Sequence, residues 1–247
     1  MRAASRRVVG VAAIDSEVGS VGLAALPGRR ARLPGMADVE RYDDVFLQAG
    51  AVALGLVTLP EVAAHWTEPS ALTGLSTGAL ACHLGNQVVR AAELLPRTTD
   101  QQPLETVDEH YARSAWVTAE PEDPVMDRTS DEDLAVAGAA ALRERVTSHL
   151  DVVRELLARG AASEVVPVPW QGWSLRRDDF LLTRMLEVVV HGDDLAVSVG
   201  VPTPQFPDAL FAPVRDLLVR LAVHRHGQSA VVSTLARSER GKPISAF

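Results

Sequence analysis

The sequence predicts an all-α protein, a helical bundle with a C-terminal helical extension. Three observations carry this. Hydrophobic residues fill 47% of the 247 positions, enough to bury a large core. Aromatic residues supply only 4%; with Ala, Val and Leu dominant, the composition suits close-packed helices better than sheets built on aromatic and β-branched pairs. Apolar residues also recur at helical spacing over several long stretches.

Residues Met1 to Met36 stand apart, with six arginines set against Asp15 and Glu17 and with many Gly and Pro. A positive start followed by VVGVAAI resembles a secretory leader, but the two acids interrupt the apolar run after about seven residues, the low end for such a segment. We read 1–36 as a disordered extension and 37–247 as the folded domain, with Met36 suited to be a translation start. Helix A spans Asp38 to Trp66 on Val45, Ala49, Val52, Leu56 and Val62, bent where Pro60 removes a backbone donor. Ser76 caps helix B, whose stripe of Leu80, His83, Leu84, Gln87, Val88, Ala91 and Leu95 ends at Pro96.

Residues 97–130 read as a long polar connection with a turn around HYARSAW. The acidic run Glu120, Glu122, Asp123, Asp127 and Asp131 to Asp133 reads as a solvated cap, placed where negative charge opposes the positive end of the next helix. Helix C spans Glu132 to Arg159, with Leu134, Ala137, Ala141, Val146, Leu150, Val153 and Leu157 inward and Gly160 closing it. EVVPVPWQGW is an extended connector whose Trp170 and Trp173 either wall a pocket or cover the bundle end. Asp178 opens helix D, which runs to Gly200; the turn VPTPQFP then leads to amphipathic segments near 208–225 and 228–238.

A net charge of −8 argues against a nucleic-acid partner held through phosphates, and equally against an anionic membrane surface. No apolar run reaches the roughly 20 residues that span a bilayer. The single cysteine, Cys82, excludes an internal disulfide and a multi-cysteine zinc site, and a reducing cytoplasm fits. Cys82 adjoins His83 but lies about 100° around the helix from it, as a small core residue.

The chemistry concentrates on helices B and D. Glu187 and His191 are four residues apart, so both side chains leave one helix face a turn apart and can chelate one ion. Many helices carry such a pair at their surface, but LLTRMLEVVV surrounds Glu187 with apolar residues, and a buried carboxylate needs a partner. His83 lies in the apolar stripe of helix B, where a hydrogen-bonded core histidine is the plain alternative. If B and D are neighbours, His83, Glu187 and His191 converge on one point. Two His and one Glu leave a fourth tetrahedral position open, the ligand set of a catalytic zinc. Asp194 shares that face and can orient His191 by accepting a ring proton. Arg184 either pairs with Glu187 or binds a substrate carboxylate. The plain alternative for both is an intrahelical salt bridge at the surface.

The stretches WTEPSALTGLSTGALACHLG and TRMLEVVVHGDDLA, with the closing RHGQSAVVSTLARSERGKPISAF, resemble the mycothiol-dependent maleylpyruvate isomerase N-terminal family, a branch of the DinB and YfiT-like four-helix metalloproteins. The resemblance implies a DinB-like four-helix bundle with its metal ligands on His83, Glu187 and His191. It also implies a divalent metal, usually zinc, that activates the thiol of a small cofactor such as mycothiol for attack on an electrophile, giving isomerisation or S-transfer. The family's isomerase proper carries a further sterol-carrier-like domain, and the stretch after Gly200 is shorter than a usual domain.

The reading is therefore a zinc-binding, thiol-dependent isomerase or transferase, with Arg184 and Asp194 as catalytic candidates. Its partners are a small-molecule electrophile and a thiol, with no nucleic acid or membrane; a homodimer is left open. The alternatives are a zinc-dependent hydrolase and a non-enzymatic metal or small-ligand binding module.

Overall fold

Breakers set the helix ends and apolar spacing sets the faces. The structure, a computed structural model, describes residues 42–119 and 129–247. The extension over 1–36 and the acids from Glu120 to Asp127 lie outside those residues. Helix α1 (Tyr42–Val57) buries Val45, Phe46, Ala49, Ala53 and Leu56. The chain then leaves the helix, and Pro60 starts a separate helix α2 (Pro60–Ala64). The expected bend is thus a stop and a restart, because at the first helical position the missing N–H costs nothing.

Helix α3 (Thr77–Leu94) begins as expected: the Ser76 side chain caps it by accepting from the Ala79 N–H. The long connection holds more structure than its polarity suggests. It contains α4 (Val107–Arg113), capped by Thr106, and a 3₁₀ turn over Ala115–Thr118. Helix C is also two pieces, α5 (Thr129–Ala135) and α6 (Gly138–Ala158). Gly138, at φ +84°, takes the left-handed conformation between them. The restart resets the inward stripe to Leu142, Val146, Leu150 and Val153, leaving Ala137 and Ala141 exposed.

The extended connector pairs with itself. Strands β1 (Val165–Val168) and β2 (Trp173–Arg176) form an antiparallel hairpin, with Val165 opposite Arg176 and Val168 opposite Trp173. The described residues are thus mostly helical with one small sheet. Helix α7 (Arg177–Ser198) follows, then α8 (Asp208–His226) and α9 (Gln228–Ala236) as the C-terminal extension.

Helices α1, α3, α6 and α7 pack as a ring, α1 against α7 and α6, and α3 against α6 and α7. Phe46, Leu80, Leu84, Phe180, Leu181, Met185 and Leu186 fill its interior, each fully buried. Helix α8 packs on α7 and carries α9. Among the described residues, no helix is long and apolar enough to cross a membrane.

A glycine controls how α5 meets this ring. The Gly78 N–H donates to the Trp66 carbonyl at 2.7 Å, and a Cβ at residue 78 would lie 2.5 Å from the indole of Trp66. That indole cannot simply swing away, because its Nε1–H donates to the Ala135 carbonyl at the end of α5. Gly78→Ala is expected to lower stability by about 1–3 kcal/mol through overpacking, more than the helix-propensity gain in a first turn returns. Urea unfolding of the variant against the parent chain checks this; an unchanged midpoint would show that the ring is free to move.

Candidate metal centre

Two neighbouring helices bring the sequence-predicted ligands together. In α3, the stripe that buries Leu80, Leu84 and Val88 also turns His83 toward α7. In α7, Leu186 and Val188 on either side of Glu187 are fully enclosed, and Glu187 and His191 project one turn apart. His83 faces Glu187 while Gln87 faces Arg184, so the two helices run antiparallel here.

The three side chains form one cluster, in which a ligand atom from each lies within 4.8 Å of the others. The Nε2 atoms of His83 and His191 each lie 3.3 Å from the same oxygen, Oε2 of Glu187. The two rings meet edge to face at 4.7 Å. Side-chain exposures of 18%, 14% and 15% for His83, Glu187 and His191 leave the cluster sheltered but open to a small ligand.

Each imidazole is held from behind. His191 Nδ1 lies 2.9 Å from Asp194 Oδ2, on the same helix. His83 Nδ1 lies 2.8 Å from Asp131 Oδ2, on α5. A carboxylate at Nδ1 holds a proton there, so that when the proton shared between Nε2 and Glu187 gives way to a metal ion the Nε2 lone pair already faces it, which is how metal-binding histidines are held.

These residues fit a divalent ion. Two nitrogens and one oxygen suit zinc and its neighbours, and the two 3.3 Å gaps to Glu187 match what a tetrahedral centre imposes, since ligands about 2.0–2.1 Å from zinc lie roughly 3.3 Å apart; the two nitrogens lie within 4.8 Å of each other.

Electrostatics reinforce the arrangement. Burial alone would raise the Glu187 carboxyl, but hydrogen bonds from His191 and His83 and the charges of His191 and Arg184 outweigh it and hold the group well below the usual carboxylate range. Burial would lower His191, yet its bonds to Asp194 and Glu187 raise it to about 9. Arg184 is only 5% exposed. Its partners are neutral: Nη1 donates to Gln87 Oε1 at 2.6 Å and Nε to Thr183 Oγ1 at 3.2 Å. It is a buried cation, not a surface salt bridge, and burial lowers its pKa despite the charge of Glu187.

Asp131 is the residue that sequence reasoning missed. It was read as part of a solvated acidic cap, yet it is 5% exposed and bound to His83 and Asn86. Its neighbour Glu132 accepts from the N–H and hydroxyl of Ser76. Nothing local signals this, because the partners lie 45 to 56 residues away.

Trp173 donates its indole N–H to His110 Nδ1 at 3.1 Å, and the Arg90 guanidinium stacks on Trp170 at 4.8 Å. Cys82 is buried beside the cluster; burial first, then the charge of Asp131, pushes its thiol up to about 12.

The model of the mycothiol maleylpyruvate isomerase N-terminal domain matches residues 46–196, a span that contains both ligand-bearing helices. The chain belongs to that family. Among solved structures, the crystal structure of the mycothiol-dependent maleylpyruvate isomerase is similar at 18% identity and a TM-score of 0.47, over 75% of this chain and 70% of that one. No curated protein sequence matches the chain. The mycothiol maleylpyruvate isomerase N-terminal span also takes in Asp131, Arg184 and Asp194, so each residue that supports the cluster falls inside the family region.

Proposed function

We propose that this chain is a divalent-metal enzyme, with zinc the first candidate, that uses a small thiol of the mycothiol kind to isomerise, or transfer sulfur to, a small electrophile. One observation carries the reading: in a member of this family, two imidazole Nε2 atoms converge on a single Glu187 oxygen while a carboxylate holds each ring from behind.

His83, Glu187 and His191 would hold the ion, which when bound acts as a Lewis acid that lowers a thiol's pKa and leaves the sulfur charged at neutral pH. The protein's own groups do the rest. Glu187 stays ionised because two imidazoles and the buried Arg184 favour its charge. Asp194 keeps the His191 ring oriented with its proton on Nδ1. The neutral partners and deep burial of Arg184 suit a fixed positive charge behind Glu187 better than a mobile arm for a substrate carboxylate. Arg184 and Asp194 are thus positioning residues in this reading. A cytoplasmic setting fits, since small thiols are kept reduced there.

The test uses full-length protein purified without a histidine tag and loaded with zinc. Elemental analysis is expected to find one ion per chain. Incubation with mycothiol and a panel of electrophiles is then expected to give metal-dependent isomer or conjugate. Absence of both thiol binding and product would sink the thiol reading, and metal-dependent ester or amide cleavage would replace it with a hydrolase.

A further inference from the structure

The two histidines of the cluster are secured by different means. Asp194, the partner of His191, is three residues along the same helix, so α7 secures that ring by itself. Asp131, the partner of His83, comes from α5, 48 residues further on. Whether His83 is oriented therefore depends on a separate element being in place.

Helix α5 has seven residues, too few to persist alone. Three polar links pin it along its length. Glu132 accepts from the Ser76 N–H at 2.7 Å and the Ser76 hydroxyl at 2.9 Å, at the very cap of α3. Asp131 spends both oxygens on α3, Oδ2 on His83 at 2.8 Å and Oδ1 on the Asn86 amide at 3.1 Å, so its carboxylate cannot rotate away. Beyond them, the Trp66 indole donates to the carbonyl of Ala135 at 2.9 Å. The Asp131 link bears on the cluster, and the Glu132 link beside it holds the register that brings Asp131 there.

We propose that α5 is the positioning element for His83: Asp131 fixes its imidazole with Nδ1 protonated and Nε2 directed at Glu187, and Glu132, which touches no ligand, sets metal affinity through Asp131. This rests on the metal reading above. An imidazole without such a partner is free to rotate about two side-chain torsions and to exchange tautomers, and loss of an orienting partner of this kind costs about 10- to 100-fold in metal affinity.

The experiment measures zinc affinity of the tag-free full chain by competition with a chromophoric chelator. The variants are Asp131→Ala, Asp131→Asn, Glu132→Gln and the Asp131→Ala, Glu132→Gln double change. Circular dichroism of each metal-free form reports whether it is folded. Asp131→Ala is expected to weaken binding by about 10- to 100-fold and Asp131→Asn by less, since the amide oxygen can still accept from Nδ1–H. Glu132→Gln is expected to give a smaller loss that vanishes once Asp131 is already alanine, the non-additivity of two residues acting through one group. A second readout needs no metal: in ¹⁵N-correlated spectra the His83 ring Nδ1–H, held by Asp131, should be a resolved and slowly exchanging proton in the parent chain and should be lost to solvent exchange in Asp131→Ala.

Unchanged affinity and an unchanged Nδ1–H signal in a folded Asp131→Ala protein would overturn the proposal while leaving the metal reading intact. An additive Glu132→Gln effect would overturn the relay through Asp131. A parent chain that binds no zinc would remove the metal reading, and the ring Nδ1–H signal would then decide the positioning claim alone.

Discussion

Replacing Glu187 with alanine is expected to reduce bound metal from one ion per chain to background. Glu187 is the only carboxylate among the three clustered groups, and both imidazole Nε2 atoms are aimed at one of its oxygens. Dividing the roughly 10–16 kcal/mol of a four-ligand zinc site evenly gives about 3 kcal/mol for each ligand, or on the order of a hundredfold in affinity. The measured loss should exceed that, because two nitrogens alone hold an ion weakly and the charge that offsets the cation is gone as well. Glu187→Gln separates the effects: it keeps the size and one oxygen but not the charge, so it should bind more weakly than the parent and more tightly than the alanine variant. Elemental analysis and chelator competition give both numbers. Equimolar metal in the alanine variant would place the ion elsewhere in the chain.

The second large effect is expected in acid. His110 is 3% exposed, and it accepts the indole N–H of Trp173 on Nδ1. Burial first, then the nearby Arg184 charge, lowers it to about 4, with Glu187 opposing only in part. In the unfolded chain the same imidazole takes a proton near its ordinary value of 6.5. Between those two values the unfolded state binds a proton that the folded state refuses. The stabilisation is therefore complete above about pH 6.5 and lost as pH falls toward 4, at about 1.4 kcal/mol per unit, or roughly 3 kcal/mol in all. His110→Gln keeps an acceptor for Trp173 but has nothing to titrate. Urea unfolding at pH 7.0 and 4.5 should show a larger loss for the parent chain than for the variant, by about 2–3 kcal/mol. Equal losses would mean that other groups dominate acid unfolding.

Much of this was legible in the sequence wherever the information is local. The cap at Ser76, the stripe through His83 and the four-residue spacing of Glu187 and His191 all follow from helical periodicity, and the structure shows each on its expected helix. Asp194, three residues past His191, was legible for the same reason. Helix breaks were read less well. Pro60 and Gly138 interrupt stretches whose apolar spacing continues across the break, so periodicity alone merges the pieces. The hairpin was hidden because four-residue strands are too short for alternation to stand out, and a cross-strand partner is visible only after folding. Asp131 was hidden for a similar reason: a run of acids looks like a solvated helix start until another helix arrives to bury one of them.

The state of Cys82 bears on what kind of reactant the protein can tolerate. An enzyme that handles an external sulfur nucleophile risks being consumed by it, through mixed disulfides or through alkylation of its own side chain by the very electrophile it processes. Here the chain's one thiol, Cys82, is enclosed in the core and stays protonated far above neutral pH, partly because the carboxylate that steadies the neighbouring imidazole also repels a thiolate. Burial and a raised pKa both disfavour that route, so if the proposed thiol- and metal-dependent activity falls on storage under oxidising conditions, the loss should trace to the added thiol or the ion, and fresh thiol together with fresh metal should restore it.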